Sequence, residues 1–262
     1  MKILVIVRQV PDSTTLIKIR GDKQDIDRAG VKMVVNPFDE FAIELGTQLR
    51  EKRSDVQGLT ALLVGPASAA EALRTALAVG ADDAIHLDDP AFEGLDEIQT
   101  AGLIAAAIKS QGYDLVLTGK QEIDLDSGQL GPALAELLDV PHVGACVAVE
   151  LAADGASVTA RRRIEGAEEV VQVGLPCLLT CDKGLPEMRY PSLPNLMKAK
   201  KKPVKVLKAA DVAGWDKAAL GGVKLYDFEP PPARPPGKFI DGEPEQQAAT
   251  LVKLLREEAK VI

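Results

Sequence analysis

Aromatic residues make up only 3% of this 262-residue chain, and histidine occurs twice. Few aromatics leave few platforms for stacking unpaired bases, and a net charge of -8 repels nucleic acid and anionic lipid alike. No nucleic-acid partner is expected. The three cysteines, Cys146, Cys177 and Cys181, are odd in number and lack CxxC spacing, which argues for buried structural thiols rather than disulfides. With only His86 and His142 beside them, no metal-ligand cluster forms on paper. No uncharged apolar stretch approaches the roughly 20 residues that cross a bilayer. The apolar run in MKILVIVRQV is too short for a signal peptide core and meets Arg8 and Pro11, so an intracellular chain without membrane insertion is expected. The G-x-G-x-x-G, Walker A and G-x-S-x-G patterns are missing, and neither histidine has an evident nucleophile partner, so no catalytic residue is expected.

What is present is an apolar share of 46%, enough for a sizeable core. Short apolar runs at Ile3–Val7, Leu59–Val64, Asp83–Leu87 and Leu115–Thr118 alternate with helical patterns at Pro37–Glu51, Ser68–Val79 and Asp96–Ser110. Such alternation predicts an α/β fold, a mostly parallel sheet flanked by helices. Asn36 stands at the cap position of the first helix with Pro37 in its first turn, and Gly80 stops the second. Further strands are predicted at 143–151, 157–164, 169–173 and 176–180, with turns at Ala153–Gly155 and Glu165–Gly166 adding antiparallel members. Arg161, Arg162 and Arg163 alternate faces on such a strand, so at most two can meet one anion. From Leu185 the composition shifts to proline and lysine. Pro230, Pro231, Pro232, Pro235 and Pro236 make a stiff connector before a last helix near Glu245–Lys260, which carries Ala248, Leu251, Val252 and Leu255 on one face.

Three segments can hold a ligand at the carboxyl edge of one sheet, where open α/β sheets bind ligands. Thr118–Pro141 passes from a strand through a loop with Gly119, Gly128 and Gly131 into a helix whose free N–H groups suit a phosphate, with Ser127 placed to cap it. Asp124 and Asp126 can bond a ribose hydroxyl, hold a turn or cap the helix. Asn36-Pro37-Phe38-Asp39 opens a helix in the same way, and Val64-Gly65-Pro66 exposes backbone at a strand end. A fourth segment, Tyr190–Lys202, presents Leu193, Leu196 and Met197 between prolines and the lysines 198, 200, 201 and 202. An apolar anchor inside a charged rim is the pattern of a protein contact, although composition alone favours a linker whose leucines and methionine pack inward and whose lysines are solvated.

RQVPDS, VVNPFDEFAIE, LLVGPA, EALRTALAVGAD, LTGKQEIDLDSGQLGP and MRYPSLPNLMKAKKK occur in this order, and the ordered set resembles the beta subunit of electron-transfer flavoprotein. The match covers most of the chain to about Val206. The resemblance implies a Rossmann-like fold of the adenine nucleotide alpha hydrolase type at 1–206 and pairing with a larger alpha subunit; the arm at 207–262, which the motifs do not reach, has little core of its own and wraps either onto its own domain or, as expected here, onto that alpha subunit. That subunit would hold the redox-active FAD while this chain buries AMP. It implies no substrate turnover of its own, with electrons arriving from acyl-CoA dehydrogenases of fatty acid β-oxidation and leaving to a membrane quinone oxidoreductase. The compartment would be the cytoplasm of a bacterium or the mitochondrial matrix of a eukaryote. By motif position the nucleotide contacts would be Ile6, Asn36, Phe38, Asp39, Val64, Gly119, Lys120, Gln121, Ile123, Asp124, Asp126, Ser127, Gly128, Gln129 and Leu130. Leu193, Pro194, Asn195, Leu196, Met197, Lys198 and Lys200 would form the recognition loop, anchored by Leu196 or Leu193. Ser13 replaces a tyrosine found in other members, and Arg163 replaces a glutamate that pairs with the partner. RQVPDS and SGQLGP also resemble the electron-bifurcating branch, in which a second FAD takes the place of AMP and NADH is oxidised. GKQ and LPNLMKAKKK resemble the common branch.

Overall fold

The computed structural model describes residues 1–234 and 236–262, so Pro235 of the proline run lies outside the described residues. In chain order the strands and helices are β1 (Lys2–Ile6), β2 (Gln9–Pro11), β3 (Met33–Val35), α1 (Pro37–Lys52), β4 (Gly58–Val64), α2 (Ala70–Val79), β5 (Asp83–Leu87), α3 (Glu97–Ile108), β6 (Leu115–Gly119), α4 (Leu130–Leu138), β7 (His142–Leu151), β8 (Ser157–Ile164), β9 (Ala167–Gly174), β10 (Cys177–Cys181), α5 (Leu193–Ala199), β11 (Val204–Leu207) and α6 (Pro244–Glu257). Nine strands form one sheet in the order β11-β5-β4-β1-β6-β10-β7-β8-β9. It is parallel from β11 to β7 and antiparallel at the β7-β8 and β8-β9 pairs. The predicted α/β class and the added antiparallel strands are both present.

Strands covered on both faces need apolar residues at consecutive positions. In β1, Ile3 and Val5 enter a core shared with α1 and α2, while Leu4 and Ile6 enter a second core under α3 and α4. Helices therefore flank both faces of the sheet. All three thiols are free and buried in the first core, on β7 and β10. Among the described residues no group of His, Cys, Asp and Glu is placed to hold a metal ion, and no helix is long and apolar enough to cross a membrane.

Four local expectations are corrected. Val35, which precedes Asn36, ends a strand of a separate two-stranded sheet, β2-β3, rather than of the main sheet. Leu193–Ala199 is a short helix rather than a loop: Pro194 sits in its first turn, where a missing N–H is harmless, and the Ser192 side chain caps the Asn195 N–H. Val204–Leu207, read only as lysine- and proline-rich chain, forms the edge strand β11 against β5. Ser127 does not cap α4; the helix starts after Gln129, and Ser127 Oγ donates to Glu122 Oε2 at 3.3 Å instead.

The arm divides in two. Trp215 packs edge-to-face on Phe92 at 5.1 Å, Gln99 Nε2 donates to the Lys217 carbonyl at 3.0 Å, and Val223 N–H donates to Asp96 Oδ2 at 2.6 Å. This part clings to α3. Helix α6, by contrast, buries none of its residues.

Candidate functional site

The loop Lys120–Gln129 continues from the carboxyl end of β6 and meets the chain after β1 through Arg8 and Glu122, and buried side chains of α1 and its approach hold it in place. Asp39, on the first turn of α1, is 3% exposed. Its Oδ2 accepts the Arg8 N–H at 2.7 Å and its Oδ1 accepts the Gly119 N–H at 2.9 Å, so one carboxyl joins the chain after β1 to the end of β6. A side chain at Gly119 would place its Cβ 2.5 Å from Asp39 Oδ1, which is why only glycine fits there. Asn36, 1% exposed, donates from Nδ2 to the Gln121 carbonyl at 2.9 Å and accepts the Ile123 N–H at 3.3 Å. Its amide is thus spent on the loop backbone. Asn36 keeps its place ahead of α1 but makes no side-chain cap.

Burial raises the Asp39 carboxyl to about 7, against the opposing pull of the Arg8 and Gly119 N–H groups. Lys120 lies 5.2 Å above the Phe38 ring and 3.2 Å from Asp182, so Phe38 and Lys120 brace each other.

At the end of the loop and the start of α4, the backbone N–H groups of Ser127, Gly128, Gln129, Leu130 and Gly131 have no protein acceptor among the described residues. Gly128, with φ of 61°, turns the chain so that these donors lie at the start of α4. Oriented free N–H groups at a helix start attract an anion. Asp124, Leu125 and Asp126 are exposed, and Gln121 Nε2 donates to Asp126.

Next to this run lies a cleft of about 130 Å³ that brings together Ile6, Val64 and Leu130 with Arg8, Gly65, Thr100 and Ile104. Of the expected residues, Ile6, Val64 and Leu130 line the cleft, Asn36, Asp39 and Gly119 hold the loop in place, Phe38 packs against Lys120, and Lys120, Gln121, Ile123, Asp124, Asp126, Ser127, Gly128 and Gln129 belong to the loop itself.

Half-buried Arg8 and the buried Glu97 and Glu122 form a charge cluster absent from the sequence-based expectation. The Arg8 guanidinium donates to Glu97 and lies 3.3 Å from Glu122 Oε1. Burial lowers the Arg8 pKa, but the charges of Glu97 and Glu122 outweigh it and the net direction is up. Burial raises Glu97 to about 7, with Arg8 opposing and Glu122 adding to the rise. The signal was a charged residue directly after a buried strand at its ligand-facing end.

The docking candidates lie elsewhere. On α5, Leu193 is 73%, Leu196 40% and Met197 57% exposed, while Ala199 is buried against the first core. Lys198, Lys200 and Lys201 are exposed around them. Lys202 is the exception to the expected rim: its amine donates to the Leu77 carbonyl at 2.8 Å and the Ala81 carbonyl at 2.5 Å, at the end of α2. Nor is the arginine run a free anion site. Arg161 pairs with Glu168, Arg162 with Glu169, and Arg163 Nη2 donates to the Lys183 carbonyl at 3.2 Å.

A doubly covered parallel sheet with a built loop at its carboxyl edge defines the class: an α/β protein of the kind that holds small ligands at strand ends. Residues 25–212 match the family model described as the electron transfer flavoprotein domain. Across its whole length the chain is 40% identical to the electron transfer flavoprotein subunit beta of Bacillus subtilis, which it also covers completely. It is 39% identical to the subunit beta of Bos taurus over 92% of this chain and 93% of that one. To the subunit beta of Syntrophomonas wolfei it is 36% identical over 100% of this chain and 98% of that one. The chain belongs to the electron transfer flavoprotein family, on the beta-subunit side.

Proposed function

We propose that this chain is the beta subunit of a heterodimeric electron carrier, pairing with an alpha subunit that holds the FAD, and that it buries AMP between the cleft and the loop Gly119–Gly131. In this account electrons come from acyl-CoA dehydrogenases of fatty acid β-oxidation and related flavoenzymes and go to a quinone oxidoreductase. The chain itself turns over no substrate. The working compartment is the bacterial cytoplasm, or the mitochondrial matrix in a eukaryote. Residues 1–206 form the nucleotide-binding domain, and 207–262 form the arm that reaches the alpha subunit.

The observation that carries the nucleotide assignment is the run of unpaired N–H groups from Ser127 to Gly131, beside the cleft lined by Ile6, Val64 and Leu130. Those donors suit a phosphate, and exposed Asp124 can accept from a ribose hydroxyl. Asn36, Asp39, Phe38 and Lys120 act beneath, fixing the loop. The docking assignment rests on Leu193, Leu196 and Met197, which stand out from α5 within a lysine rim that matches an acidic, apolar-pocketed partner. Pro194, Asn195, Lys198 and Lys200 complete that surface.

The second account is the bifurcating type, in which the same loop holds a second FAD and NADH is oxidised. RQVPDS and SGQLGP favour it. Co-purifying both subunits and identifying the nucleotides released on denaturation separates the two. One FAD and one AMP per heterodimer are expected; two FAD and no AMP would overturn the AMP assignment.

A further inference from the structure

Helix α5 has only seven residues, too short to hold its own shape in water, so its neighbours decide where its apolar face points. Three attachments do this. Ala199 packs into the core and Lys202 binds the end of α2 at the exit of the segment. At the entrance, Arg189 grips α1. Its Nη2 donates to Glu44 Oε1 at 2.8 Å and to Glu51 Oε2 at 2.9 Å, its Nη1 to Glu51 Oε1 at 2.6 Å and its Nε to Glu44 Oε2 at 3.0 Å. The Arg189 backbone N–H adds a contact to Glu44 Oε2 at 3.2 Å.

This is not an ordinary surface ion pair. Glu44 is 3% exposed, and Gln48 Nε2 also donates to it at 2.9 Å, so the carboxylate is fully engaged. Bidentate arginine geometry fixes direction as well as distance. Burial pulls the Glu44 pKa up, but hydrogen bonds from Arg189 and Gln48 outweigh it and hold the carboxyl below its usual range. Immediately after this grip the chain turns outward: Tyr190 is exposed at 99%, and the exposed Leu193 follows within three residues. The same helix α1 carries Asp39 at its other end, with Asn36 just ahead of it, and there the two tie down the loop beneath the candidate nucleotide site.

We propose that Arg189 is a positioning residue for partner docking: held by Glu44 and Glu51, it fixes the entry of α5 so that Leu193, Leu196 and Met197 are presented in one orientation, in register with the loop through α1. The inference rests on the docking role of α5 proposed above. It adds the residue that sets the angle of that surface without touching the partner.

The test uses the full heterodimer and steady-state reduction by an acyl-CoA dehydrogenase, with R189Q, the doubly neutral E44Q/R189Q, R189K and L196A compared with the parent. In R189Q and in E44Q/R189Q the KM for the carrier should rise at least about fivefold with kcat within about twofold, because misplacement of a recognition surface weakens productive encounter. Nucleotide content should be unchanged, and R189K, which keeps the charge, should recover part of the loss. If L196A raises KM while both neutral variants leave it unchanged, the positioning role is overturned and the docking role stands. If L196A itself has no effect on KM, the docking role fails and the inference fails with it. Failure of both neutral variants to assemble with the alpha subunit would show that Arg189 is a staple of the fold, and would also overturn the proposal.

Discussion

Replacing Asp39 with asparagine tests how the loop is held. The two carboxyl oxygens serve different segments, Oδ2 accepting from Arg8 N–H at 2.7 Å and Oδ1 from Gly119 N–H at 2.9 Å. Asparagine has one acceptor oxygen, so one N–H would face an amide N–H2 group in a buried site. A buried donor left without an acceptor costs about 1–3 kcal/mol, and that is the expected loss of stability in urea unfolding near pH 5. The pH dependence sharpens the test. Burial raises Asp39 to about 7, above its ordinary value of 3.8. The stability that the neutral carboxyl contributes is therefore complete below about 4 and is lost as pH climbs through about 7. The asparagine side chain does not titrate, so the gap between D39N and parent should narrow from pH 5 to pH 8. A loss below about 0.5 kcal/mol at pH 5, or a gap that widens with pH, would refute the account of Asp39 as a buried, largely neutral clamp.

Other outcomes can be checked separately. Gly131→Ala should destabilise the start of α4 and release bound nucleotide, because the added Cβ would collide with the Thr180 methyl group; nucleotide analysis after gel filtration reads this directly. The native chain should react negligibly with an aromatic disulfide reagent and release three thiols in denaturant, since Cys146, Cys177 and Cys181 are all buried. Burial also raises Cys146 to about 12 and Cys177 to about 11 and moves Cys181 upward. Removing residues 244–262 should leave the unfolding free energy of the isolated chain within about 0.5 kcal/mol, because α6 buries nothing within it. The same truncation should abolish co-purification with the alpha subunit.

The parallel sheet was legible because its strands are buried on both faces and read as unbroken apolar runs. Ile3-Leu4-Val5-Ile6 in β1 and Leu62-Leu63-Val64 in β4 are examples, and Gly80 marks where the helix after β4 stops. The edge strand β11 was not legible, since Val204-Lys205-Val206-Leu207 is short and mostly exposed, with only Leu207 buried. Pro191 and Pro194 disguised α5, because a proline in the first turn starts a helix while the same residue elsewhere breaks one. The loop residues around Gly119–Gly131 were visible as a strand-to-helix transition, but their division of labour was not. Asn36 and Asp39 are expected ligand contacts, and their pairing with residues 121, 123, 8 and 119, which no local pattern encodes, gives them a backbone-holding role as well. The Arg8–Glu97–Glu122 cluster joins segments far apart in sequence, Arg8 and Glu97 being 89 positions apart, so the place of Arg8 just after β1 is its one local trace and its partners are not encoded nearby.

The most direct test of the carrier account is anaerobic reduction of the purified heterodimer, followed by flavin absorbance. An acyl-CoA dehydrogenase with its substrate should bleach the flavin, and NADH alone should leave it oxidised. Bleaching by NADH, or no reduction by the dehydrogenase, would contradict the account.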